Sequence, residues 1–376
     1  MSRILVIVML VCMGITGIEA QASSNEAYTY FNEAIGHFKA KDFQSAINAY
    51  SQAISVDPNY TKAYYNRGNA KLNVKDYPGA IRDFNEVIKQ DRTFAKAYLY
   101  KGYAEMQQKK YNKAIESFTA AIQENFNLDK AYLNRGTIYM KKGQFAQAIK
   151  DLNAAIKINP NNATGFYNRG LCYAKLDNYH DAVNDYSMAL ELKPSMVGAF
   201  SVRGKAFLQL EKYGEAISDF NAAINLKPRV AEFYYYRGYA KQLMNNIPGA
   251  HKDFTLTLEI DPGYQNALIN RAITGIELGK NDEAITDYSR LIQLQPDKYV
   301  YYVNRGIAFL KLSDYELAVK DFDNAIKRND QIPQAYFNRA NAYTKLDLYD
   351  KACNDMRKAA QLGYDLAFDH IRNLCQ

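Results

Sequence analysis

Tryptophan is absent from this chain, so ring packing falls to its 32 Tyr and 18 Phe. Proline and glycine are scarce, 9 and 20 in 376 residues, which excludes a collagen-like or linker-rich chain. Neither sign of charge dominates. The 47 Lys and Arg against 40 Asp and Glu leave +7, too little over this length to point to nucleic acid. A hydrophobic share of 48% excludes intrinsic disorder. Signatures of catalysis are missing too: no Gly-rich phosphate loop, no His-Glu-x-x-His and no nucleophile elbow. The four cysteines, Cys12, Cys172, Cys353 and Cys375, show no metal-type spacing.

The one extended apolar run stands at the start. After Ser2-Arg3 it covers Ile4 to Val11, continues loosely to Ile18 and ends in Glu19-Ala20-Gln21-Ala22. This order predicts a secretory signal peptide over 1–22, cut after Ala22 or after Ala20, with 23–28 as a short lead-in. Two rivals remain. An uncleaved anchor falls short of the ~20 apolar residues a spanning helix needs. A lipid-modified Cys12 is disfavoured by the bulky Val11 before it. The expectation is an exported protein, periplasmic or secreted, with no integral membrane segment in the mature chain.

A repeat dominates the rest. From Thr29, one pattern returns every 34 residues, starting at 29, 63, 97, 131, 165, 199, 233, 267, 301 and 335, without an insertion. The second residue of the unit is aromatic in nine units and Leu268 in the other; the sixth is Gly or Ala in all ten. That i, i+4 spacing puts both on one face of a first helix. Glycine is costly inside a helix, so its recurrence predicts close approach of a neighbouring helix. The eighteenth residue is always Ala, and four residues on an aromatic stands in eight units, among them Tyr50, Phe84 and Phe322. This is a second helix whose large rings interlock with small residues. Pro58, Pro160, Pro194, Pro228, Pro262 and Pro296 share a phase that stops the second helix; Pro78 and Pro248 sit where it begins.

Aromatic, Gly, Ala, aromatic and Pro at a 34-residue period resembles the tetratricopeptide repeat, over residues 29–368. The resemblance implies an all-α right-handed superhelical solenoid of antiparallel helix pairs, with the first helices lining an inner groove. One pair cannot bury its apolar face alone, so the last needs a lid. Gly363 closes its second helix, and 365–376 reads as a short C-terminal capping helix with Leu366, Phe368 and Ile371 apolar.

Two columns vary together. The fifth residue is Arg in eight units (Arg67, Arg135, Arg169, Arg203, Arg237, Arg271, Arg305, Arg339), where the family usually has an aliphatic residue. The twenty-first is Asp in the same eight (Asp83, Asp151, Asp185, Asp219, Asp253, Asp287, Asp321, Asp355). The exceptions fail together, Glu33 with Ala49 and Lys101 with Ser117, whereas pairing each Asp with the next unit's Arg gives mismatches. This predicts an ion pair joining first helix to second within each unit. The rival reading makes the Arg row a clamp for acidic peptides, but a ligand row has no need of a covarying Asp.

The fourth residue is Asn in seven units: Asn32, Asn66, Asn134, Asn168, Asn270, Asn304 and Asn338. An amide both donates and accepts, so such a row can hold an extended peptide backbone. It resembles the asparagine ladder in the superhelix of O-GlcNAc transferases; the alternative is plain helix-to-helix contact. By family analogy the third and seventh residues face the groove, among them Phe31, Tyr65, Tyr103, Tyr167, Tyr235, Tyr239, Val303 and Phe337, an aromatic lining suited to peptide anchors. The carboxylate clamp of chaperone-binding members is not assembled, because the phase read for its Lys holds Phe31, Tyr65, Leu99 and Leu133.

His37, His180, His251 and His370 occupy different phases of different units, so they share no face for catalysis. Cys353 lies 10 residues before Gly363 and Cys375 lies 12 after it, so a cap that folds back brings them together as a disulfide; two free thiols is the other outcome. The sequence therefore predicts a non-catalytic protein- or peptide-binding scaffold without cofactor or metal. The alternative is a structural or assembly subunit of an envelope or secretion complex that meets partners through other surfaces.

Overall fold

The computed structural model describes residues 24–375; the signal-peptide expectation lies outside them. The regular structure among the described residues is helical, and the chain divides into two compact units, one ending at Pro194 and one beginning at Ser195.

The first unit alternates first helices α1 (24–39), α3 (Thr61–Asn73), α5 (Ala95–Gln107), α7 (Asp129–Lys141) and α9 (Ala163–Lys175) with second helices α2 (Phe43–Val56), α4 (Tyr77–Gln90), α6 (Tyr111–Glu124), α8 (Phe145–Ile158) and α10 (Tyr179–Leu192). The second unit continues the alternation. Its first helices are α11 (Val197–Gln209), α13 (Ala231–Leu243), α15 (Gln265–Glu277), α17 (Tyr299–Leu312) and α19 (Pro333–Lys345). Its second helices are α12 (Tyr213–Leu226), α14 (Ile247–Ile260), α16 (Asn281–Leu294), α18 (Tyr315–Arg328) and α20 (Tyr349–Gln361), and α21 (Leu366–Leu374) closes the chain. Within each unit, successive helices pack as a solenoid of antiparallel pairs. Among the described residues no helix is long and apolar enough to cross a membrane.

Local chemistry sets the helix ends. Asp42, Asp76 and Asn246 cap second helices by accepting from the backbone N–H of Ser45, Gly79 and Gly249 at 2.9–3.1 Å. Each phased proline falls two residues past a second helix, as Pro58 after Val56 and Pro262 after Ile260. The turn inside each pair passes through the left-handed region at one residue, such as Lys75 (φ 64°), Asp347 (φ 57°) and Gly143 (φ 73°). Most of these residues are not glycine, so the turn is held against a local cost of ~1 kcal/mol by packing on either side.

The recurrent glycine has the expected cause, and the neighbour is now identified. A Cβ on Gly170 would meet the Tyr186 ring at 2.7 Å, and one on Gly68 would meet the Phe84 ring at 2.8 Å. The close partner is thus the ring 16 residues on, in the second helix of the same pair. Those rings are fully buried, as is the invariant Ala of each second helix (Ala46 through Ala352, all 0% exposed). Each pair then lays its outer face on the next. In the first unit Phe31, Ala34 and Tyr50 of the first pair enclose Ala63 and Ala70 of the second.

The cap corrects the sequence reading in detail. Ala367 is fully buried and Ile371 partly so, against Tyr336, Ala340 and Met356, while Leu366 and Phe368 are 59% and 55% exposed. Residues 366 and 368 lie about 100° to either side of 367 around a helix, so a face centred on 367 and 371 leaves them on its flanks.

Candidate functional site

Two rows of side chains run through the first helices, one made of arginines and one of asparagines. All eight arginines form forked pairs with their aspartates. Nε donates to Oδ2 at 2.7–3.0 Å and Nη2 to Oδ1 at 2.6–2.8 Å, from Arg67–Asp83 and Arg135–Asp151 through Arg169–Asp185, Arg203–Asp219, Arg237–Asp253, Arg271–Asp287 and Arg305–Asp321 to Arg339–Asp355. The aspartates are buried, at 1–7% exposure. Lys71 and Lys241 add a second cation on Asp83 and Asp253.

Two further partners of the guanidinium were not read from the sequence. Its remaining nitrogen, Nη1, reaches back to the preceding pair: to Ser51 from Arg67 (3.0 Å), Thr119 from Arg135 (2.8 Å), Asn153 from Arg169 (2.6 Å), Asn221 from Arg237 (2.7 Å), Ser289 from Arg305 (2.9 Å) and Asp323 from Arg339. The aromatic second residue lies under the same guanidinium in seven units, at 5.3–5.9 Å from the ring centre, as in Tyr64–Arg67 and Tyr336–Arg339. Each such arginine therefore ties first helix to second and, through Nη1, one pair to the pair before. The signal was available: two residues after each Asp column stands a small polar residue, until the last unit, where Arg357 takes the place and no pair follows.

Burial pushes the carboxyls of Asp185, Asp219 and Asp287 upward, opposed by the hydrogen bonds and charge of their arginines; those bonds raise Arg169 and Arg271. Buried ion pairs in general fix geometry more than they add net stability, because taking both charges out of water offsets their attraction. Among the exceptions, Ala49 is buried and Glu33 lies 3.6 Å from His37 Nε2, and Ser117 donates to Glu105 at 2.7 Å.

The asparagine row meets a groove in the first unit. A cavity of ≈ 780 Å³ lies along α1, α3, α5 and α7 and brings together Asn66, Asn134 and Tyr103 of the predicted set. Asn69 and Asn73 add amides, and Lys39 and Lys130 add two ammonium groups that the sequence reading did not place there. Tyr50 forms part of its wall; burial pushes this phenol up to about 12, with a hydrogen bond from Asn66 pulling the other way.

The remaining predicted groove residues are engaged elsewhere. The aromatic third residues turn into the stack: Phe31 on Tyr60 (4.9 Å), Tyr65 on Phe94 (5.0 Å), Tyr235 on Tyr264 (4.9 Å). Phe31 and Val303 are buried core, so these members of the column serve inter-pair packing, whereas Leu99 and Leu133 of the same column line the groove. Tyr167 packs on Tyr186, and Asn168 donates to Thr137 Oγ1 at 3.3 Å. In the second unit Asn270 donates to the Tyr235 hydroxyl at 3.5 Å, and Asn304 is half-buried. Asn338 is half-buried, and Tyr239 stands 38% exposed with its ring parallel to Tyr235 at 6.4 Å. Cys353 and Cys375 are joined, Cα to Cα 5.4 Å, and Cys172 is a buried free thiol whose pKa burial pushes up to about 12. His251 is buried between Thr274 and Glu283.

Models described as TPR repeat and tetratricopeptide repeat match residues 37–74, 65–127, 136–177, 163–196, 204–245, 276–313 and 303–363. The chain belongs to the tetratricopeptide-repeat family, whose members are generally non-catalytic scaffolds that bind protein partners. Among solved structures it is similar to the C-terminal part of a TPR repeat-containing protein from Cytophaga hutchinsonii (TM-score 0.55, 21% identity, 64% of this chain and 98% of that one). A tetratricopeptide repeat protein from Parabacteroides merdae matches with TM-score 0.46 and 20% identity over 66% of this chain and 99% of that one. YrrB, described as a TPR protein with an unusual peptide-binding site, matches with TM-score 0.47 and 22% identity over 49% and 95%. The Cytophaga likeness shows the fold alone at that identity. No curated protein matches the chain.

Cutting the arginine seat should cost more than the pair contributes. Arg169→Ala strands the Asp185 carboxylate and should destabilise by ~3–5 kcal/mol. Arg169→Ala with Asp185→Ala together should cost clearly less than the sum of the singles in urea melts; strict additivity contradicts the coupling.

Proposed function

We propose that this chain is a non-catalytic scaffold that holds an extended peptide or a protein segment in the groove of its first unit. The supporting observation is the meeting of four asparagine amides, the Tyr103 ring and the Lys39 and Lys130 ammonium groups along one cavity. Amides in a row match the alternating donors and acceptors of a peptide backbone, the ring offers an apolar anchor, and the lysines favour acidic side chains or a chain-end carboxylate. No nucleic acid partner and no cofactor enter this reading.

A second reading, a structural or assembly subunit of an envelope or secretion complex, draws on the outward Leu366 and Phe368 of the cap and the exposed Leu348 and Tyr349 beside it. Export to the periplasm or medium is part of both. It rests on the N-terminal apolar run and on the Cys353–Cys375 disulfide, which an oxidising compartment maintains. Cell fractionation should find the chain outside the cytosol; recovery in the cytosolic fraction contradicts export.

Peptides selected from a displayed random library separate the two surfaces. Tyr103→Ala with Asn66→Ala should weaken them about tenfold or more with unchanged helical circular dichroism, while Phe368→Ala leaves them bound. Binding lost only with Phe368→Ala favours the second reading.

A further inference from the structure

The arginine row fails twice in the first unit, at its first pair (Glu33 with Ala49) and at the interior pair α5–α6, where Lys101 stands at the arginine position and Ser117 at the aspartate position. The rest of the seat persists. Tyr98 is the ring that elsewhere lies under the guanidinium, and Asn85 is the residue 16 positions upstream that elsewhere accepts from Nη1. A buried carboxylate is present too, delivered from the other helix. Glu105, one turn after Lys101 on α5, is 4% exposed, and its Oε2 accepts from Ser117 Oγ at 2.7 Å. All of these line a cavity of ≈ 470 Å³.

The cavity is lined by two ammonium groups and two carboxylates, so formal charge balances, but the buried Glu105 has no cation within ion-pair distance among the described residues. Glu105 has the one hydroxyl donor from Ser117, although a carboxylate accepts about four hydrogen bonds and is costly to bury without charged donors. Among the described residues no ion pair joins Lys101 to Glu105. Lys113 and Glu116 also reach the cavity and balance one another in sign. A flat cation with forked donors suits the ring, the amide oxygen and the carboxylate together. A compact ammonium on Lys101 does not combine ring stacking with a two-pronged contact.

We propose that this pair carries a receptor site for a guanidinium group brought by another molecule, which lies on the Tyr98 ring and donates to Glu105 and Asn85. In six other pairs, a guanidinium supplied by the chain itself makes the corresponding side-chain contacts. The site shares no lining residue with the groove, so it stands whether or not the groove binds peptide.

The test uses the full chain with N-acetyl-L-arginine methylamide, free L-arginine, and the lysine and citrulline counterparts of the capped form, read by thermal melting and calorimetry. A saturable upward shift is expected with arginine, and about tenfold or more weaker binding with the lysine and citrulline compounds. Glu105→Gln should weaken arginine by a similar factor. Lys101→Arg should fill the seat from within, raising the melting temperature without ligand and removing the ligand-induced shift. Binding of the capped form alone assigns the guanidinium to an arginine side chain of a partner protein, and equal binding of the free amino acid assigns it to a small molecule. No saturable binding of either arginine form, equal binding of the lysine compound, or an undiminished shift in Lys101→Arg overturns the site.

Discussion

A helix pair of this size cannot keep its own apolar face dry, and everything else in the structure follows from the way neighbours cover it. The invariant Ala and the ring four residues beyond it are fully buried, but the faces on either side become interior only when the next pair is laid down. The arginine seats reinforce the same dependence with polar contacts. One guanidinium holds the aspartate of its own pair and an acceptor in the pair before. Buried charges of this kind contribute direction more than net stability, because desolvation offsets most of the attraction. They specify which helix faces which, while the rings and alanines supply the burial.

None of the arginine seats lines the groove of the first unit, which carries amides, a tyrosine and two lysines beside core residues such as Tyr50 and Leu99. The seats also isolate the pair α5–α6. Once its arginine and aspartate are exchanged for Lys101 and Ser117, the amide and the ring of the seat remain without a guanidinium, and Glu105 brings a buried carboxylate from the first helix instead.

Much of this was legible in the sequence because a repeat displays its own substitutions. Gly170 and Tyr186 recur at one spacing, so their contact shows as periodicity, and Arg–Asp pairing shows as two columns that change together. Contacts made by variable residue types did not show. The acceptor for Nη1 is Ser, Thr, Asn or Asp from unit to unit, and the left-handed turn residue is Lys, Asp, Glu, Asn, Ser or Gly. In both cases geometry is kept while identity drifts. The groove was half legible. Asn66, Asn134 and Tyr103 line one cavity, but family analogy also turns Tyr65 and Tyr235 into the groove, and a ring at the third residue reaches the thirty-second residue of its own unit instead. Lys39 and Lys130 sit near helix ends, outside the columns that the family analogy directed attention to.

The dependence of each pair on its neighbour is tested most directly in the second unit, by deleting whole 34-residue units ahead of α19 while keeping α19, α20 and α21 as the closing elements. Equilibrium urea melts of the series should show stability falling in steps as each pair is removed, with the shortest chains unfolded. Stability that stays level across the series would contradict the account.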